Sequence, residues 1–371
     1  MRLYKKDMKV LVVCTVTFEL NGITAVILNY YKHLKLSEIQ MDFIVTNRPS
    51  DKMAEKLTQG HSEVHSEVHI IPRNGSPFSY ILKLFKLCRE NQYDIIHVHG
   101  NSATMVLETI PAMFAGVPIR IVHSHNVGCT HMRLHKILYP LFNVTYTHAL
   151  ACGEKAGKWL FHEKEFAVLK NGIDLETYKW DITIRKEYRE KIHAGEKVVI
   201  GHVGEFNEQK NHRYLIELFA KLIQRSDNYI LLMIGDGILL QDMKIMANKF
   251  GLRDRVLFLG RTEEVSRYMQ AMDLFLLPSL YEGVPLVLIE AQASGLPCLV
   301  SDSVSRETDL AGTVQYINLC NQADWIEQII AIESSKMRSR SDNTGKLRQY
   351  GYDINISSHA LADFYRQCLE E

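Results

Sequence analysis

No stretch of this chain is both long enough and apolar enough to cross a bilayer. The residues from Met1 to Lys9, followed by a short strand, have none of the layout of a secretory leader. Cysteine is sparse: the seven residues Cys14, Cys88, Cys129, Cys152, Cys298, Cys320 and Cys368 are scattered, odd in number and without CxxC spacing. That excludes a disulfide framework or a cysteine zinc site and fits reduced thiols, so a cytoplasmic protein is expected. Charge of one sign is also missing overall. Forty-three Lys and Arg balance 43 Asp and Glu, and no global field argues for nucleic acid. One local absence stands out, because Thr109 to Gly153 contains no Asp or Glu at all.

What is present reads as an α/β protein. A chain of 371 residues is long for a single core and suggests two domains. Apolar runs that look like buried strands alternate with helical patterns nearly throughout, which argues for parallel sheets. The first series runs from Lys9 to about Ala151 and the second from Val198 to about Val300, with a turn at Asn171-Gly172-Ile173-Asp174 between them. Two Rossmann-like domains joined near Asn171 are the simplest arrangement. Their expected limits are 1–172, together with a last helix at 355–371, and 173–354.

The chain is organised around Pro278 to Pro297, PSLYEGVPLVLIEAQASGLP. The run Leu274-Phe275-Leu276-Leu277 before it predicts a buried strand, Pro285 suits a first helical turn, and Gly295 with Pro297 stops the helix. That helix is apolar almost all round and should be buried, yet it carries Glu290, an expensive residue there unless it is paired. Glu282 stands just ahead of it, beside the free backbone N–H groups of Gly283, Val284 and Leu286 around Pro285. Two carboxylates and a helix N-terminus therefore meet where a strand ends, a common ligand position in open α/β sheets.

The E-x7-E spacing from Glu282 to Glu290, with its P-S-x-x-E-G-x-P and A-x-x-S-G-x-P flanks, resembles the signature of the GT4 family of retaining, nucleotide-sugar-dependent glycosyltransferases. The likeness is closest to their capsule and exopolysaccharide branch. The resemblance implies the GT-B fold, two Rossmann-like domains facing across a cleft, with the last helix crossing back onto the first domain. It implies a hexose or N-acetylhexosamine donor, UDP-linked by preference, and a lipid-linked oligosaccharide or saccharide acceptor in surface polysaccharide assembly. Glu282 would hold donor-sugar hydroxyls, and Glu290 would accept from the ribose hydroxyls. Enzymes of this kind generally need no metal or other cofactor, in keeping with the lack of a D-x-D motif here.

Further motifs fall into place around that resemblance. In G-H-V-G-E-F-N-E-Q-K-N-H, Gly204, Lys210 and a helix start with Asn211 as N-cap form a credible diphosphate cradle. The family has an arginine where this chain has Glu205, and a carboxylate beside a diphosphate repels it. Either another cation such as Arg261 compensates, or the enzyme is weakened or disabled. Gly235-Asp236-Gly237 and Gly260-Arg261-Thr262 follow predicted strands and match turns that line the nucleotide, though each could be a bare turn. Gly22, opening the first helix, fits close approach of phosphate or sugar, or a plain helix start. His123-Ser124-His125-Asn126 follows a strand and resembles the family's donor-sugar histidine, with His125 the preferred match and His123 the fallback. Catalytic roles thus fall to Glu282, His125 and Lys210.

Two patterns lie outside the signature. His61, His65 and His69 recur every four residues, but the segment runs into a β-like V-H-I-I-P, and a short tandem duplication in a surface loop explains it better than a metal site. In the acid-free segment, Arg120, Arg133 and Lys136 alternate with Met132, Leu134, Ile137, Leu138 and Leu141. That face could meet anionic lipid headgroups or a lipid diphosphate acceptor, or it could simply pack on its own sheet. A two-carboxylate hydrolase, a nucleotide-sugar epimerase and a non-enzymatic partner subunit are the rival readings.

Overall fold

The computed structural model describes residues 8–19, 21–34, 39–58, 66–334 and 340–371. They form two compact units, one running Met1–Gly172 with Ile354–Glu371, the other Ile173–Asp353. The first is built on seven strands: β1 (Met8–Cys14), β2 (Ile39–Val45), β3 (Val68–Ile70), β4 (Ile95–Gly100), β5 (Ile119–Ser124), β6 (His148–Ala151) and β7 (Ala167–Val168). All pair in parallel, in the order β3-β2-β1-β4-β5-β6-β7. β1 is buried along nearly its whole length, as a parallel strand covered by helices on both faces must be. The helix Ile354–Glu370 packs against the helix Gly22–His33, and its buried Ile354, Ser357, Leu361, Tyr365 and Cys368 form one helical stripe.

The second unit holds β8 (Val198–Val203), β9 (Tyr229–Ile234), β10 (Val256–Gly260), β11 (Leu274–Leu277), β12 (Cys298–Ser301) and β13 (Val314–Ile317). These are parallel too, in the order β10-β9-β8-β11-β12-β13. In each sheet the strand order reverses beside its first strand, between β1 and β4 and between β8 and β11. At such a point successive loops leave to opposite sides and open a crevice at the carboxyl ends of the strands. The loops after β8 and β11 carry the two richest motifs of the sequence, so topology alone brings them to one place.

The helix Leu286–Ala293 is buried at Leu288, Ile289, Ala291, Gln292 and Ala293, as its all-round apolar sequence predicts. Its buried amide, Gln292, is fully satisfied: Nε2 donates to the Leu288 and Thr308 carbonyls, and Oε1 accepts from the Leu310 and Ala311 N–H groups. This helix is therefore fixed in rotation, and with it Glu290.

Candidate active site

Three loops build the site in the second unit. The first is the turn after β8. Gly204 N–H donates to the Ile234 carbonyl, Phe206 N–H to the Asp236 carbonyl and Gly235 N–H to the Gly260 carbonyl, stitching the ends of β8, β9 and β10 together. The stitching is so close that a Cβ on Gly235, whose φ is +145°, would fall 1.9 Å from the Gly204 oxygen. Only glycine fits there.

Lys210 follows on the same loop, its backbone N–H held 3.1 Å from Asn207 Oδ1. Asn211 is the N-cap residue of the next helix, as expected, but it does not cap through its side chain. It adopts a left-handed conformation (φ 57°), makes no side-chain capping bond, and donates from Nδ2 to the Pro278 carbonyl at 3.2 Å. Leu280 N–H to the Gln209 carbonyl, and Gln209 Nε2 to the Tyr281 carbonyl, add two further ties. The cross-loop bonds explain the missing side-chain cap: the Asn211 carbonyl still accepts from Tyr214 N–H at the start of the helix His212–Ile223, while its side chain joins the two loops.

With the loops tied, Lys210 Nζ donates to Glu282 Oε1 at 2.6 Å, and Ser279 Oγ donates to the same oxygen at 2.9 Å. Both charged side chains are largely buried, 16% exposed for Lys210 and 9% for Glu282. The P-S-x-x-E spacing contains the signal for Ser279, since three residues of turn return its hydroxyl to the carboxylate. Glu290 lies close enough for the Lys210 charge to act on it, and it accepts a hydrogen bond from Tyr178. Burial nevertheless wins and pushes its carboxyl up to about 7. Tyr178 stays a donor, because burial and the neighbouring Glu290 hold its hydroxyl well above the usual range. Sequence reasoning missed this partner. Its signal was the N-G-I-D turn: Asp174 accepts from Thr177 N–H and Oγ1 and caps the helix Leu175–Tyr178, which delivers the tyrosine.

The other predicted donor-side residues stand around this pair. Gly283 and Val284 lead into Pro285, which is the N-cap residue of the helix beginning at Leu286. Glu205 is exposed and accepts from Asn207 Nδ2 at 3.3 Å. Arg261, the expected substitute cation, has its Nε 3.7 Å from Asp236 Oδ2, and Thr262 Oγ1 accepts from the Glu264 N–H.

In the first unit, Gly22 begins a helix capped by the Asn21 side chain, which accepts from Thr24 N–H. His123 lies in β5 and the half-buried His125 just past its end, and they form one array with the buried His97 and His99 of β4. His97 Nε2 is 3.3 Å from His123 Nδ1, His99 Nδ1 is 2.9 Å from His125 Nε2, and Tyr365 Oη is 2.6 Å from His97 Nδ1. Burial drives all four imidazoles down in pKa and keeps them neutral, His125 to about 3. Ligand nitrogens of His97, His99 and His123 lie within 4.8 Å of one another. Their ring planes, however, are only 7° to 36° apart. Near-parallel rings aim their in-plane lone pairs side by side, which suits a hydrogen-bonded array better than a tetrahedral metal site. Of the histidine repeat, His61 and His65 lie outside the described residues, and His69 sits on the edge strand β3 beside Glu67.

The acid-free segment forms the helix Met132–Thr145. Its His135, Phe142 and Thr145 face the core, while Leu134, Ile137, Leu141 and Val144 form an exposed stripe, Ile137 at 73% and Val144 at 71%. Arg133 and Lys136 are exposed alongside. Arg120 departs from the expected cationic face. Its guanidinium donates to the carbonyls of Val117, Pro118 and Thr145, so it closes chain ends instead of meeting a ligand. Among the described residues no helix is long and apolar enough to cross a membrane.

Comparison with known proteins adds the following. The model of the family described as glycosyl transferases group 1 matches residues 184–348, and that of Glycosyltransferase Family 4 matches residues 20–177. The protein named glycosyltransferase EpsF in Bacillus subtilis strain 168 is 32% identical over 368 residues, 94% of each chain. A UDP-Gal:α-D-GlcNAc-diphosphoundecaprenol α-1,3-galactosyltransferase of Escherichia coli is 32% identical over 238 residues, covering 60% of this chain and 61% of that one. The crystal structure of Anabaena Alr3699/HepE in complex with UDP-glucose superposes with a TM-score of 0.79 at 17% identity, covering 97% of this chain and all of that one. WaaG, a glycosyltransferase of lipopolysaccharide biosynthesis, gives 0.73 at 18%, covering 96% of this chain and 99% of the other. At such identities the two structures speak for the fold alone.

Proposed function

We propose, on the premise that this chain belongs to the family 4 glycosyltransferases and has their GT-B fold, that it moves a hexose or N-acetylhexosamine from a UDP-linked donor onto a lipid-linked acceptor in surface polysaccharide assembly. The anomeric configuration would be retained. The observation that carries this reading is the 2.6 Å contact between Lys210 and Glu282, at the switch point of the second sheet with Glu290 nearby. Breaking a sugar–phosphate bond loads negative charge onto the departing diphosphate. Lys210 and the N-termini of the helices His212–Ile223 and Leu286–Ala293 can stabilise that charge. In the free protein Glu282 holds the ammonium in place. When the diphosphate draws on Lys210, the Glu282 carboxylate can turn to donor-sugar hydroxyls, and Glu290 is free to accept from ribose. A neutral His125 with its Nδ1 unpartnered suits a hydrogen bond to the sugar without becoming a competing nucleophile. The departing phosphate would help deprotonate the acceptor, and no metal is assigned a step.

The lipid-linked acceptor is supported by what the relatives' names say of their own substrates, and by the exposed Leu134, Ile137, Leu141 and Val144 stripe flanked by Arg133 and Lys136. Such a face suits peripheral contact with the anionic inner leaflet of a membrane. A thermal-shift screen against nucleotide sugars tests the reading. A UDP-sugar at about 100 times its Kd should stabilise the protein by about 2.7 kcal/mol. If no nucleoside diphosphate or nucleotide sugar raises the melting temperature, the assignment of this site is wrong.

A further inference from the structure

Beneath Lys210 lies a histidine that no step above uses. His202, near the end of β8, is fully buried. Its Nδ1 lies 2.9 Å from the Leu276 carbonyl, and since a carbonyl can only accept, Nδ1 carries the proton. Nε2 of the neutral ring is then a bare lone pair with no partner. It points to the bare Cα of Gly204, against the Lys210 stem: a Cβ there would crowd both, at 3.2 Å from His202 Nε2 and 3.1 Å from Lys210 Cδ. The glycine thus lets imidazole and lysine stem pack against one another next to the start of a twelve-residue helix, where a ligand that draws Lys210 aside would meet Nε2. An unpartnered, buried nitrogen at that place is an acceptor aimed where an acceptor-rich diphosphate is proposed to sit. As it stands it would repel the ligand; with one added proton it becomes a donor and a cation.

We propose that His202 is a diphosphate-binding residue that takes up a proton on Nε2 when the nucleoside diphosphate arrives, supplying a second buried positive charge beside Lys210. The proposal rests on the reading of this site as a nucleotide-sugar site. The proton comes from solvent, Nε2 gains an N–H bond, and the new N–H donates to a phosphate oxygen while Nδ1–H keeps its bond to Leu276. The groups facing the ring are few. Lys210 and the imidazole of His212, whose ring centroid is 4.7 Å away, are the titratable neighbours; the Lys210 charge opposes protonation in the free protein, while His212, pushed down to about 2 chiefly by burial, is neutral. The flanking residues on β9 and β11, Met233, Phe275 and Leu276, carry no charge. Burial first, then Lys210, holds the free His202 at about 4, so it is neutral near pH 7, and only an anion in contact can reverse that. Exposed Glu205 contributes no cation, and a proton on His202 adds a buried positive charge to that of Lys210.

The test is calorimetry of UDP binding to the full-length protein and to His202→Asn in buffers of different ionisation enthalpy. Asparagine retains a donor for the Leu276 carbonyl and cannot take the proton. The wild-type protein should take up about half to one proton more per UDP bound than the variant. Its affinity should fall more steeply with rising pH, by up to about tenfold more per pH unit, because UDP's own ionisation is common to both. Equal proton uptake by the two proteins overturns the role of His202 while leaving the site intact. If neither protein binds UDP, the nucleotide-sugar reading itself fails, and this inference with it. Histidine ¹⁵N NMR of the wild-type protein serves as the second measurement, independent of the variant's folding. On adding UDP one buried ring should change from one N–H and one bare nitrogen to two N–H groups; a ring that stays neutral in the bound state overturns the proposal.

Discussion

Replacing Lys210 by methionine separates what the Lys210–Glu282 pair does for stability from what it does for chemistry. Methionine keeps the length and apolar stem of the lysine, so the lost quantity is the charge. Glu282, 9% exposed, would be left as a buried carboxylate served, among the hydrogen bonds of the described residues, by the Ser279 hydroxyl. Breaking a fully buried pair costs about 3–5 kcal/mol, but the retained hydrogen bond and the remaining solvent contact reduce that here to about 1–3 kcal/mol. For a domain of this size each kcal/mol is worth about 2–4 °C, so thermal unfolding should show a loss of several degrees. Adding Glu282→Gln removes the orphaned charge, and the double variant should recover most of that loss, giving a coupling energy of at least about 1 kcal/mol in the cycle. Transfer activity should not recover. Loss of one charge-stabilising group lowers turnover by about 10² to 10³, and the double variant should stay at least that low. Simple additivity of the two stability losses would sink the claim that the pair is energetically coupled. Wild-type turnover in Lys210→Met would remove Lys210 from the chemistry altogether.

Four other outcomes are expected. Glu290 is held at about 7 against an ordinary 4.5, so its raised value favours the folded state at low pH, and that contribution is lost as pH rises from about 4.5 through 7. Glu290→Gln should flatten the pH dependence of urea unfolding in that window by up to about 3 kcal/mol, and an unchanged slope would show that Glu290 ionises freely in the fold. Gly235→Ala forces a Cβ to 1.9 Å from the Gly204 oxygen at a φ alanine rarely adopts, so it should cost at least about 3 kcal/mol and abolish UDP binding; near-native melting would contradict the packing described. Glu205→Arg, at an exposed position whose side chain meets only Asn207 among the hydrogen bonds described, should tighten UDP binding in calorimetry, and unchanged or weaker affinity counts against a diphosphate nearby. The double change Ile137→Ser, Leu141→Ser should leave the melting temperature within about 1 °C, because both side chains are exposed, yet weaken co-sedimentation with vesicles containing anionic lipid; undiminished binding would place the membrane contact elsewhere.

The alternation of buried strands and helices was legible because parallel strands covered on both faces must be apolar from end to end, and Tyr229–Ile234 is as plain an instance as Leu274–Leu277. The stretch from Glu282 to Glu290 was legible for a different reason. A carboxylate in an otherwise apolar helix has no cheap explanation, and local spacing alone puts Ser279, Glu282 and the helix start together. These are properties of neighbouring residues, and sequence by itself determined them.

Which segments meet was decided only by the tertiary structure. Lys210 meets Glu282 because the strand order reverses between β8 and β11 and three cross-loop hydrogen bonds then tie the loops. One of those bonds diverts the side chain of the N-cap Asn211 to the other loop. Arg120 reads as a surface cation until the chain ends it closes are in place, since backbone carbonyls leave no mark in the sequence. His202 shows the same limit most clearly. A histidine in a strand is unremarkable in sequence; its Nε2 gains meaning only when the fold buries the ring, assigns its other nitrogen to Leu276 and sets it against the bare Cα of Gly204 and the stem of Lys210.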